Sequence, residues 1–140
     1  MWSGHVLYSR RFLWVDVPRN CLKSKEWNNY TNRVTKILND FRDWLLLSKK
    51  NGKRVYGYGA AAKASTILNS TQIDPNLIHA IADISIEKQE RFMPPHGIRI
   101  ISPEDLSDAR PTDVVIFPWN IKEEIASSLK SHLGPGVRLW

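Results

Sequence analysis

The sequence predicts an α/β fold: a Rossmann-like, doubly wound, mostly parallel sheet with helices on both faces. Three observations predict it. From residue 53 onward, short apolar runs alternate with helical stretches, the pattern of parallel strands joined by helical crossovers. A glycine turn, Gly57-Tyr58-Gly59, follows the first of those runs and opens a small-residue helix. A long amphipathic stretch stands in front of them. With 140 residues, the chain has room for one domain of ordinary size.

Each element has a local reason. Residues 5–17, HVLYSRRFLWVDV, are rich in β-branched and aromatic side chains and read as an arm or edge strand closed by Pro18. Residues 1–23 are therefore set apart from a domain spanning 24–140. Residues 24–50 read as a helix starting at Ser24 or Lys25. Trp27, Tyr30, Val34, Ile37, Leu38, Phe41, Trp44, Leu45 and Leu47 recur at steps of mostly three and four, a stripe expected to pack into the core. Lys49 and Lys50 suit the carboxyl end of the dipole, and Asn51-Gly52 stops the helix.

Residues 54–59 read as a short strand and glycine turn, and 60–69 as a helix. Residues 73–76, IDPN, form a turn, and 77–82, LIHAIA, a strand ending at Asp83. Residues 87–93 have no clear period and are compatible with one helical turn. Residues 98–101 are a strand. Ser102-Pro103 is a helix start with a cap and a proline at the first position. Residues 113–117 are a buried strand, 121–132 a helix, and 137–140 begin a last strand.

Composition narrows the classes of function. Hydrophobic residues are 42% and charged residues 24%, ordinary for a globular domain. No run approaches the ~18–20 apolar residues that span a bilayer, and nothing near Met1 reads as a signal peptide. The single cysteine, Cys21, has no internal partner, and no Cys/His cluster has zinc spacing. The expected compartment is the cytoplasm. Residues 1–56 carry 12 basic and 4 acidic groups, net +8; residues 57–140 carry 8 and 10, net −2. A basic front half suits an acidic neighbour, a phosphate ligand or nucleic acid, and a solvated surface more simply than any of them. The six tryptophans are scattered, and no nucleic-acid-binding signature is present.

The strongest chemical signal is Gly57-Tyr58-Gly59-Ala60-Ala61-Ala62-Lys63. It fits G-x-G-x-x-G/A at Gly57, Gly59 and Ala62. Gly57 is expected to allow the tight turn, Gly59 the approach of a ligand, and Ala62 close packing of helix on strand. The first helical turn then offers unpaired N–H groups and a positive dipole end to an anion, and Lys63 adds a full charge. Asp83 ends the second strand, where a ribose-binding carboxylate would sit. Phe117-Pro118-Trp119-Asn120 ends a parallel strand on the same edge, where a ring and an amide suit a base or sugar. The polar stretch 83–95 brings Lys88, Gln89 and Arg91. A turn that binds nothing, a tryptophan that only caps the core and a solvated loop have the same sequence signature. No nucleophile elbow is present, His5, His79, His96 and His132 lie in different elements, and P-loop spacing is not met. His79 reads as a core residue of an apolar strand.

Three blocks carry a family resemblance: VYGYGAAAKASTILN (55–69), IADISIEKQERFMPPHGIRIISPEDL (81–106) and RPTDVVIFPWNIKEEI (110–125). Together they resemble the C-terminal domain of the S-adenosylmethionine-dependent sugar C-methyltransferases, which act on nucleotide-linked deoxysugars. The resemblance covers most of residues 26–140. It implies a Rossmann-like domain that helps hold a nucleotide-diphosphate-sugar through the 57–63 loop, the Lys88–Arg91 run and Trp119-Asn120. It also implies that S-adenosylmethionine, the catalytic base and zinc belong to preceding domains, with no cofactor and no turnover in this chain alone. Its partner is then the preceding methyltransferase domain or a partner chain, with no nucleic acid and no membrane.

The chain departs from the family pattern at Ala64 and Glu90, usually glycines, at Pro95, usually glycine, and at Arg99, usually proline. Two other readings stay open from the residues. One is a stand-alone NAD(P)-type dinucleotide-binding domain resting on Gly57, Gly59, Ala62 and Asp83. The other is a non-enzymatic docking module using the basic helix over 24–54.

Overall fold

A computed structural model describes residues 25–94 and 96–140 of the chain. The expected arm at 1–23 and the Ser24 cap lie outside the described residues. The chain divides into two compact units, 1–37 and 38–140. The described part of the first is the leading stretch of helix α1 (Lys25–Lys50), where the Trp27 and Tyr30 ring centroids are 6.0 Å apart.

The second unit is built on strands β1 (Val55–Tyr58), β2 (Ile81–Ala82), β3 (Phe92–Met93), β4 (Ile98–Ile101), β5 (Asp113–Ile116) and β6 (Arg138–Leu139). Helices α2 (Ala62–Thr71), α3 (Pro103–Asp108) and α4 (Lys122–Leu133) connect them. The sheet order is β3-β4-β2-β1-β5-β6. All pairs are parallel except β3 with β4. Gly57 is opposite Ile81 on one side and Val115 on the other, so β1 is central.

Neighbouring residues of the inner strands feed opposite cores, as a sheet covered on both faces requires. Ile81, Ile100, Val115 and Phe117 pack with Leu45 of α1 and Ala64 and Leu68 of α2. Ala82, Ile101, Val114 and Ile116 pack with Leu106 of α3 and Leu129 of α4. The helices therefore lie in pairs on the two faces, and the doubly wound α/β class expected from the sequence is observed. Ser102 caps α3 through a capping box, accepting from the Asp105 N–H at 3.0 Å while Asp105 accepts from the Ser102 N–H.

Several expected elements differ. Within the second unit, α1 reaches the core through Leu45, Phe41 and Trp44, with Ser48 also buried. Tyr30, Ile37 and Leu47 are more than half exposed; Leu47 lies about 200° around the helix from Leu45. The expected 77–82 strand is shorter. Asp74 accepts the Asn76 N–H, and Pro75–Leu77 closes into a 3-10 turn, so Leu77 is not extended. His79 is not a core residue: it lies before β2, exposed, with its ring stacked on Tyr56 at a centroid separation of 5.2 Å. Residues 87–93 do not form a helix; a turn leads into β3, which pairs with β4. Trp119–Ile121 forms a 3-10 turn before α4.

Candidate functional site

The parallel strands β1, β2 and β5 all end on one edge. From β1 the chain crosses by α2 on one face to β2, and it reaches β5 by α3 on the other. The gap between the ends of β1 and β5 is therefore the switch point where ligands of such sheets sit. The 57–63 loop and residues 117–120 both border it.

The glycines do different work from that expected. Gly57 is not the turn: it is a strand residue, and a Cβ there would lie 2.7 Å from the Phe117 ring and 2.9 Å from Ile81. The turn is made at Gly59, with φ +88, and a Cβ there would lie 2.5 Å from Cγ and Cδ of Pro118. The space on the Cβ side of Gly59 is taken by Pro118, from the chain that follows β5. Ala62 is exposed and does not press helix on strand; Ala60 and Ala64 are the buried small residues. Ala64, at a position where the family usually has glycine, fits with no exposed surface.

Helix α2 starts at Ala62 on Ala61, which has no side chain to cap the first turn. Its leading N–H groups are thus left for solvent or a ligand. Lys63 reaches across the switch point. Its ammonium donates to Oδ1 of Asn120 and lies 4.6 Å from the Trp119 ring centroid. A cation over an exposed indole contributes about 0.5–1 kcal/mol. Three residues singled out in the sequence, Lys63, Trp119 and Asn120, are thus brought together.

A cleft of about 390 Å³ opens beside this bridge. Tyr58, Gly59, Ala61, Asp83 and Lys88 of the expected set line it, together with Ile84, Pro118, Ile121, Glu124, Ile125 and Ser128. A second groove, about 470 Å³, shares Tyr58, Ile84 and Ser128 with it and continues between α3 and α4 past Glu104, Asp108 and His132. Burial, then the Asp83 and Glu104 carboxylates, push the Tyr58 phenol above its ordinary value of 10.0, so it stays a neutral hydroxyl.

Asp83 is buried and largely engaged. Its Oδ1 accepts the Ser85 N–H at 2.9 Å and its Oδ2 accepts the Lys88 ammonium at 3.2 Å. Gln89 donates to the Asp83 carbonyl oxygen at 2.9 Å. Lys88 and Asp83 are therefore one paired unit on the cleft wall. Arg91 does not join them; it is exposed beside β3 and does not line the cleft. Sequence reasoning missed Glu124, Ile125 and Ser128. They recur at helical spacing in α4, and the step from the β5 end to the next helix was the signal that could have found them. Among the described residues, no group of three or more His, Cys, Asp or Glu could hold a metal ion, and no helix is long and apolar enough to cross a membrane.

The residues that border this edge are a fixed ammonium, an uncapped helix start and a cleft whose lining includes the exposed Ile84 and Ile121. Known proteins share parts of this chain. It is similar to the C-methyltransferase NovU of Streptomyces niveus, 33% identical over 88 residues. That match covers 63% of this chain and 21% of the relative, so the chain spans about a fifth of the relative's length. Among solved structures it is similar to UDP-D-quinovosamine 4-dehydrogenase from Vibrio fischeri, at 22% identity and a TM-score of 0.46, covering 62% of this chain and 75% of that one. The sequence pattern of the C-methyltransferase C-terminal domain matches residues 17–139, and the chain belongs to that family.

Proposed function

We propose that this domain binds the nucleotide-diphosphate-sugar substrate of a sugar C-methyltransferase. The observation that carries the reading is the Lys63 ammonium held at the switch point beside the uncapped start of α2. A diphosphate placed there meets the N–H groups of the first turn, the positive dipole end and one full charge. The cleft along Tyr58, Asp83 and Lys88 then receives the uncharged part of the ligand. Methyl transfer belongs to the whole protein of this class, in which a preceding methyltransferase domain supplies the donor site, the base and a zinc module. This domain orients the substrate toward it, in the cytoplasm. The dinucleotide reading has less support, because the Asp83 carboxylate already accepts from Ser85 and Lys88.

Lys63→Ala tests the reading. A charge-assisted hydrogen bond contributes about 1.5–3 kcal/mol, so affinity for UDP-glucose or dTDP-glucose is expected to fall about tenfold to a hundredfold. Lys63 is partly exposed outside both cores, so the melting temperature should fall by no more than a few degrees. Lys63→Arg should restore binding only in part, since the planar guanidinium approaches an oxygen differently from an ammonium. Equal affinities of wild type and Lys63→Ala by calorimetry at fixed salt, or no binding by wild type, would remove the reading. A separate titration with S-adenosylmethionine should release no heat of binding; micromolar binding would show a donor site within this chain.

A further inference from the structure

We infer that Trp119 and Asn120 are positioning residues for Lys63 rather than contacts for the ligand; this rests on the diphosphate reading above. A lysine in the first turn of a helix ordinarily samples many rotamers, and its charge is spread over them. Here two groups from the turn after β5 fix it. Asn120 accepts one of the three ammonium hydrogens through Oδ1, and the Trp119 ring takes one side of the cation at 4.6 Å. The ammonium keeps donors for a ligand oxygen. It is held over the gap between β1 and β5 before any ligand arrives, so less side-chain entropy remains to be lost on binding.

The residue types suit this task. An amide oxygen accepts from lysine without cancelling its charge, whereas a carboxylate would neutralise it and compete with phosphate. An indole attracts a cation without offering an acceptor that phosphate must displace. Neither Trp119 nor Asn120 lines the adjoining cleft, which places their action on Lys63 rather than on the body of the ligand.

The experiment is a set of cycles on the 140-residue chain, with UDP-glucose and inorganic pyrophosphate as probes and melting temperature recorded for every variant. Asn120→Ala and Trp119→Ala are each expected to weaken both probes about threefold to tenfold when Lys63 is present. In the Lys63→Ala background the same changes should have almost no effect. Trp119→Phe keeps a ring face and should recover most of the loss. Asn120→Asp should hold or raise the melting temperature while weakening pyrophosphate at least as much as Asn120→Ala does; a merely structural amide would lower both together. In NMR spectra, the upfield ring-current shift of the Lys63 Cε protons should vanish in Trp119→Ala and shrink in Asn120→Ala. Losses of equal size with and without Lys63 would make the pair direct ligand contacts and overturn the inference. Unchanged affinity in Asn120→Ala and Trp119→Ala while Lys63→Ala still weakens binding would overturn it and leave the diphosphate reading standing. Failure of Lys63→Ala itself to weaken binding would remove that reading.

Discussion

Gly59→Ala is expected to destabilise the domain by about 2–5 kcal/mol, from two sources that add. The backbone at Gly59 has φ +88, a region that costs an L-residue with a Cβ about 1–2 kcal/mol. The new methyl would also lie 2.5 Å from two ring carbons of Pro118, and overpacking of this kind typically costs about 1–3 kcal/mol. Pro118 has little room to retreat: Phe117 before it is fully buried against Gly57, and Trp119 after it begins the 3-10 turn that meets Lys63. Gly52 separates the two sources. It has φ +65, but a methyl there would meet nothing within 4 Å, so Gly52→Ala should show the backbone part alone, about 1 kcal/mol. Urea unfolding of the three proteins gives the comparison. A Gly59→Ala loss no larger than that of Gly52→Ala would mean that Pro118 yields and that the loop is softer than its packing suggests. If the loss is as expected, nucleotide-sugar binding should fall with it, since the same contact sets the Lys63 bridge.

What could be read in advance follows from how far each feature depends on its immediate neighbours. The alternation of apolar runs with helices was legible because inner strands such as 113–116 are buried on both faces and so are continuously apolar after the first residue. The Ser102-Pro103 start was legible because a cap is a local event, closed within three residues. β3 was not. It has two residues, too few for a period, and it exists because the chain turns at Glu90 with φ +62 and lays Phe92 and Met93 against β4. Glycine adopts such a φ without strain. Glu90 adopts the strained conformation here, and its carboxylate pairs with Arg99 at 2.5 Å. Two departures from the family pattern, at 90 and at 99, are thus in contact with each other. The site divided in the same way. Lys63 with Trp119 and Asn120 was foreseeable as residues of one sheet edge, because parallel strands put their carboxyl ends together. The Gly59–Pro118 contact and the α4 wall of the cleft were not, because both join segments far apart in the chain through side-chain volume. Arg91 shows the same limit: a cation in a polar run, exposed just before β3 and outside the lining of the cleft.

Asp113 should be the residue whose loss most weakens the far end of the sheet. It begins β5, its side chain has no exposed surface, and it gathers the last strand. Arg138 binds it with both arms, Nε to Oδ1 at 3.0 Å and Nη2 to Oδ2 at 3.2 Å. Trp140 donates its indole N–H to Oδ1 at 3.0 Å, and the Thr112 hydroxyl donates to Oδ2 at 2.8 Å. Trp140 in turn lies against Trp44 of α1, ring centroids 4.8 Å apart. One carboxylate therefore ties β6 to β5 and steadies a ring beside the core. Asp113→Asn keeps the shape but turns an NH2 group toward the guanidinium. With charged hydrogen bonds contributing about 1.5–3 kcal/mol, and part of Arg138 still able to reach water, the expected loss is about 2–4 kcal/mol. The effect has a pH signature. Burial pushes the Asp113 carboxyl up, but the bonds from Trp140, Thr112 and Arg138 outweigh it and hold it below its ordinary 3.8. A folded-state value below the unfolded one means the unfolded chain takes up the proton first as pH falls. The stabilisation is therefore present in full above the ordinary carboxylate range and disappears as pH falls through the lower folded-state value. Urea midpoints of wild type and Asp113→Asn should differ by a constant amount from pH 7 down to about 5 and converge only in more acidic solution. A gap that closes already near neutral pH, or an Asn variant as stable as wild type at pH 7, would show that the carboxylate is not what holds β6 in place.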